Sequence, residues 1–144
     1  MIKIICIGKL KEQYLKDGIV DYFNRITKYH KIEIIELPDS NIDKEKDAIL
    51  KNINKKDYII TMDIEGNKIS STSLAEKIDK TFITNPIITF IIGGSDGIHQ
   101  DIKKLSNYSL SFSNLTFPHG LFRLILLEQI YRSFKILNNE IYHK

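Results

Sequence analysis

The sequence predicts an α/β fold: a parallel sheet flanked by helices, in a single domain over residues 1–144. Three observations predict it. Apolar runs alternate with stretches of helical periodicity five times over, as successive β–α units require. The central runs are apolar without polar alternation, which suits strands covered on both sides. No repeat, composition shift or low-complexity linker divides the chain, whose length suits one core.

In chain order, "IKIICIG" (Ile2–Gly8) reads as a strand, and Leu15, Ile19, Phe23 and Ile26 follow at helical spacing. "KIEIIEL" (Lys31–Leu37) is the second strand, stopped by Pro38, and Ile42, Ile49, Leu50 and Ile53 mark a short charged helix. "YIITMDI" (Tyr58–Ile64) is the third strand, ended by "EGN". Ser73 and Glu76 fit a capping box that opens a helix with Leu74, Ile78 and Phe82 inside. "IITFII" (Ile87–Ile92) is the fourth strand, followed by a short helix marked by Ile98, Ile102 and Leu105. "YSLSF" (Tyr108–Phe112) is a fifth, weaker strand, and the last helix runs from Leu121 to about Leu137. That helix is apolar over more than one stripe, whereas a surface helix on a monomer needs one of about 100°. It is either buried deep in the domain or shared with a second subunit, and the dimer is the preferred expectation.

Composition narrows the function classes. No apolar run reaches the ~18–20 residues that span a bilayer, and the single cysteine, Cys6, excludes an internal disulfide. A cytoplasmic protein is expected. The net charge of +3 permits an anionic partner without demanding one. Arginine is scarce, and Arg123 and Arg132 lie on one helix, which favours contact with RNA or an anionic ligand.

The turn Gly93-Gly94-Ser95-Asp96-Gly97 after the fourth strand invites comparison with phosphate-binding loops. It lacks the G-x-G-x-x-G spacing, and Phe117 stands where a ribose-binding acid belongs. Ile98 and His99 follow Gly97 where a P-loop needs Lys and Ser/Thr. The turn is therefore a tight corner or a place of close approach for a ligand. No histidine pairs with Cys, Asp or Glu at ligand spacing, so no metal is expected. "MDIEG", "IIGGSDG" and "SFSNLTFPHG" sit at three strand ends, where α/β sheets bind ligands. The tail Tyr142-His143-Lys144 is either frayed or suited to stacking on a base.

These fragments, with "GKLKEQY", "EQIYRSFKI" and the terminal "YHK", occur in an order that resembles the ribosomal large-subunit RNA methyltransferase H family of SPOUT (α/β-knot) methyltransferases, over essentially the whole chain. The resemblance implies a C-terminal trefoil knot, a homodimer, and S-adenosylmethionine as cofactor. It implies methylation of N3 of a pseudouridine in helix 69 of 23S rRNA, on the assembled ribosome. Carried over by position, cofactor contacts fall on Met62, Gly93, Phe112, Ser113, Asn114, Leu115, Thr116 and Phe117. Tyr142, His143 and Arg132 carry the chemistry, with His143 assisting loss of the N3 proton, and Arg123 and Lys144 hold RNA. Phe117-Pro118-His119 stands where the family has Leu-Pro-His, and Gly120 is less bulky than the family position implies. A ribosome-associated RNA-binding protein without catalysis is the alternative; a nucleotide-dependent oxidoreductase is disfavoured by the failed fingerprints.

Overall fold

The computed structural model describes residues 1–144. Ten elements alternate: β1 (Ile2–Ile7), α1 (Gln13–Thr27), β2 (Ile32–Leu37), α2 (Ile42–Leu50), β3 (Asp57–Lys68), α3 (Ser71–Thr84), β4 (Ile87–Ile92), α4 (Gln100–Leu105), β5 (Tyr108–Ser111) and α5 (His119–Leu137). The five strands form one sheet in the order β2-β1-β4-β3-β5, with every pairing parallel. Successive crossovers reverse direction along this order. Right-handed connections then require successive helices to alternate faces.

The two faces hold separate cores. Along β1, Ile2, Ile4 and Cys6 point into the larger core, while Ile5 and Ile7 point into the smaller. The larger core lies beneath α1, α3 and α5, with α5 packed between the other two. The smaller core gathers Ile49 of α2 and Ile102 of α4 against Ile59 and Ile91. Every residue of β1 is buried, as an apolar run covered on both sides should be. On the smaller-core face, the buried Lys3 ammonium meets Asp57 at 2.9 Å, and Thr89 Oγ1 donates to the same carboxylate at 3.1 Å.

Several boundaries differ from expectation. α3 begins at Ser71, because Ser70, not Ser73, is the N-cap: its hydroxyl accepts from the Ser73 N–H at 3.1 Å. The Ser71 hydroxyl also bonds Gln129 of α5 at 2.6 Å, which ties the earlier turn down. α2 stops at Leu50, and Ile53 packs on the smaller core from the loop beyond. β3 continues past "EGN" to Lys68, because it resumes pairing with β5 after an excursion at Asp63–Gly66. Met62 and Asn67 both pair with Leu110. α5 starts at His119, directly after Pro118, whose fixed φ suits a helix entry. Its broad apolar surface is covered by the sheet and by two helices of its own chain. Leu121 and Ile125 retain exposure on its outer side.

Candidate active site

The carboxyl ends of β4 and β5 meet the Met62–Ile64 stretch of β3 at a pocket of about 370 Å³. Met62, Ile92, Ile98, Leu110, Phe112, Phe117 and Phe122 supply its apolar side. Phe122 of α5 lies 5.3 Å from Phe112 and 6.3 Å from Phe117, between ring centroids, so the first turn of α5 closes one side. Asp63 and Lys103 also line the pocket, paired at 3.1 Å. Burial raises the Asp63 carboxyl, but the Glu65 N–H and the Lys103 ammonium outweigh it and hold Asp63 below the usual carboxylate range. Such a space suits a ligand with an apolar or aromatic body and a charged end.

The glycine turn forms another wall. The Gly97 N–H donates to the Gly94 carbonyl at 3.0 Å, and Gly97 has φ +78°. A Cβ at Gly93 would lie 2.7 Å from the Gly97 carbonyl. The close approach that requires glycine at 93 is thus made by the turn itself. Beyond the wall, the buried Glu45 accepts from the Ser40 N–H at 2.9 Å, with Oε1 3.2 Å from where a Gly94 Cβ would sit. Burial pushes the Glu45 carboxyl above its ordinary range. The loop after β5 is shaped by Ser113: its hydroxyl accepts from the Leu115 N–H at 2.9 Å, and its carbonyl accepts from Ser111 Oγ at 3.1 Å.

Of the cofactor residues expected from sequence, Met62, Gly93, Phe112, Ser113, Leu115, Thr116 and Phe117 line this pocket. Asn114 is exposed and does not. The expectation missed Lys103 and Phe122, whose contribution depends on how α4 and α5 dock; His119 lay within the quoted "SFSNLTFPHG" without a role. Asp63 lay within the quoted "MDIEG" and was unassigned.

Arg123, expected from the sequence to hold RNA, lies inside the fold. It is 3% exposed, with Nη1 on Glu36 and Nη2 on the Gly8 carbonyl at 3.1 Å. Facing the ends of β1 and β2, it braces α5 against the sheet.

Arg132 sits at the other end of α5. Its Nε donates to Glu128 at 2.9 Å, its Nη2 also meets Glu128, and its Nη1 faces His143 Nδ1 at 3.0 Å. Its guanidinium lies 4.8 Å from the Tyr142 ring centre. The Tyr142 ring packs edge-on against Tyr131 at 5.0 Å, and its hydroxyl donates to Glu128 at 3.3 Å. Burial, then Tyr22 and Glu128, push the Tyr142 phenol up to about 12. Glu140 pins the tail, accepting from Tyr29 at 2.7 Å and Lys135 at 2.9 Å. Lys144 is exposed. The tail therefore folds onto α5, and Tyr142, His143 and Arg132 form one cluster. Arg132 is ten residues beyond Phe122, which at 1.5 Å per residue is roughly 15 Å along the helix from the pocket.

A family model described as "Predicted SPOUT methyltransferase" matches residues 1–143. A ribosomal RNA large subunit methyltransferase H from Alkaliphilus oremlandii is 46% identical over 157 aligned positions, covering 99% of this chain and 99% of its own. A solved structure titled "a probable methylase family protein" from Haemophilus influenzae superposes with TM-score 0.59 at 14% identity, over 99% of this chain and 70% of its own. The SpoU methyltransferase AviRb from Streptomyces viridochromogenes, solved in complex with AdoMet, gives TM-score 0.50 at 8% identity, over 96% of this chain and 60% of its own. At these identities the two structures speak for the fold alone.

Proposed function

The chain belongs to the SPOUT methyltransferase family, and from that premise we propose that it methylates large-subunit ribosomal RNA with S-adenosylmethionine. The finer reading is N3 of a pseudouridine in helix 69 of 23S rRNA, on the assembled ribosome. The observation that carries the reading is the pocket where the carboxyl ends of β4 and β5 meet the Met62–Ile64 stretch of β3, built from the residues that the family resemblance assigns to the cofactor.

The residues fit such a cofactor. A volume of about 370 Å³ lies within the range of small-ligand sites. Phe112, Phe117 and Leu115 would pack on the adenosine, and the Asp63–Lys103 pair offers both signs of charge to an amino-acid end. When bound, S-adenosylmethionine supplies a methyl group already activated on a sulfonium. The protein's task is then alignment of donor and acceptor. Tyr142 brings an aromatic ring to position the base, and Arg132 a cation toward negative charge that develops on it. Phe112–Phe117 form the loop that the resemblance places in a trefoil knot.

The tail cluster lies roughly 15 Å from the pocket of its own chain, counted along α5. This separation supports a homodimer in which one subunit holds the cofactor and its partner's tail presents the base. A two-fold arrangement repeats the exchange in both directions. Mixed dimers, one subunit defective in the pocket and one in the tail, are expected to recover partial activity; no recovery would refute shared sites.

The decisive experiment is methyl transfer to ribosomes from a strain lacking the modification, with the modified nucleotide mapped. Methylation at another nucleotide refutes the finer reading. Cofactor binding without any transfer favours a non-catalytic RNA-binding protein. S-adenosylmethionine at 100 times its Kd should stabilise the fold by about 2.7 kcal/mol in a thermal melt, and NAD should not.

A further inference from the structure

Glu128 touches both Arg132 and Tyr142. Its Oε1 accepts from Arg132 Nε at 2.9 Å, from Arg132 Nη2 and from the Tyr142 hydroxyl at 3.3 Å. Its Oε2 accepts from Gln129 Nε2 at 3.1 Å. With Nε and Nη2 held by one carboxylate, the guanidinium plane is fixed. Nη1 is left facing His143 Nδ1 at 3.0 Å. Arginine carries only donors, so in this hydrogen bond Nδ1 is the acceptor. The proton of the ring then resides on Nε2.

From this chain of contacts we infer that Glu128 is a positioning residue for methyl transfer, fixing Arg132 and Tyr142 and, through Arg132, setting His143 as an Nε2–H donor to a carbonyl oxygen of the target base. The inference rests on the RNA-methylation reading for its substrate. It also changes the role of His143 from base to donor. While Arg132 occupies Nδ1, neither ring nitrogen is free to take the N3 proton. Arg132 and the Nε2–H would instead stabilise the deprotonated base, with the proton leaving to water. A bare i,i+4 pair between Glu128 and Arg132 would support the helix only weakly, and it would have no bearing on the histidine ring.

The test is nitrogen-resolved NMR of the imidazoles in the full-length protein without ligand, with His143 assigned by its loss in His143→Asn. The expected result is an unprotonated Nδ1 and a protonated Nε2. In Glu128→Gln the two tautomers should mix. The rate of methyl transfer should fall on the order of 10-fold to 100-fold, the scale of a misplaced reacting group, with stabilisation by S-adenosylmethionine unchanged. Glu128→Asp, which keeps the charge, should recover part of the rate. A proton on Nδ1 in the wild type, or an unaltered tautomer in Glu128→Gln, would overturn the inference. Should Glu128→Gln not fold, Arg132→Lys, which removes the fork, must mix the tautomers; an unaltered ring there also overturns it. A wild type with the expected tautomer and no methyl transfer would instead sink the substrate reading, leaving control of the ring by Glu128 in place.

Discussion

The two ends of α5 each carry an arginine paired with a glutamate, and they are built to different ends. At the pocket end Arg123 is 3% exposed and committed to Glu36 and the Gly8 carbonyl. At the tail end the Arg132 side chain keeps 24% of its surface and one nitrogen turned toward His143. The first joins three elements across the chain. The second pairs within one turn of its own helix and organises a short tail. A residue type on a helix therefore says little until its partners are known. Perturbing the pocket end should register in stability, and perturbing the tail end in activity.

The largest expected effect breaks the tail end. Arg132→Ala should lower methyl transfer on the order of 100-fold, the scale of a lost charge-stabilising donor. Its stability should change by less than about 1 kcal/mol, because partly exposed i,i+4 pairs contribute little. A urea melt alongside a ribosome assay checks both halves. An Arg132→Ala protein that melts early and methylates normally would invert the comparison.

Two substitutions probe the pocket end. Gly93→Ala places a methyl 2.7 Å from the Gly97 carbonyl, so we expect a loss of about 1–3 kcal/mol from overpacking. The deformed wall should also abolish the thermal shift given by S-adenosylmethionine. Arg123→Met keeps much of the side-chain volume and leaves Glu36 without its partner. Because Glu36 retains 39% exposure, the expected loss falls below the scale for breaking a fully buried pair, at about 1–3 kcal/mol. Methylation by the folded fraction should persist.

The smallest effect is a pH dependence. Burial raises the Glu45 carboxyl above its ordinary value of 4.5, so the folded state holds that proton more tightly than the unfolded chain. Stability from this group is full below pH 4.5 and is lost as pH rises through the higher folded value. Glu45→Gln removes that loss. The variant should therefore be more stable than wild type at pH 7 and no more stable at pH 4. Denaturation midpoints at the two pH values measure the difference; a gain at pH 4 alone would reverse the sign.

The sheet was legible because its strands are apolar runs bounded by helical periods, and such patterns are local. Strand order was not, since parallel neighbours such as β1 and β4 are separated by long stretches of chain. The pocket was largely legible through residues at strand ends. Lys103 and Phe122 were not, because which face of α4 or α5 meets the pocket is decided by packing. The partners of Arg123 were not legible, because a scarce cation on a helix reads the same whether it faces an RNA or Glu36. The N-cap of α3 was misplaced by three residues because "SSTS" offers several hydroxyls, and the bond from Ser71 to Gln129 selects the earlier frame.

The excursion in β3 has an engineering consequence. The strand leaves Leu110 at Met62 and returns to the same residue at Asn67. Asp63–Gly66 thus form a detour whose two ends are fixed by one partner. Residues inserted beside the exposed Ile64 and Glu65 would lengthen the detour without moving a side chain of the sheet to its opposite face. Asp63 and Ile64 also line the pocket, so this detour is a tuning handle, where ligand preference can be altered while the surrounding architecture stays in frame.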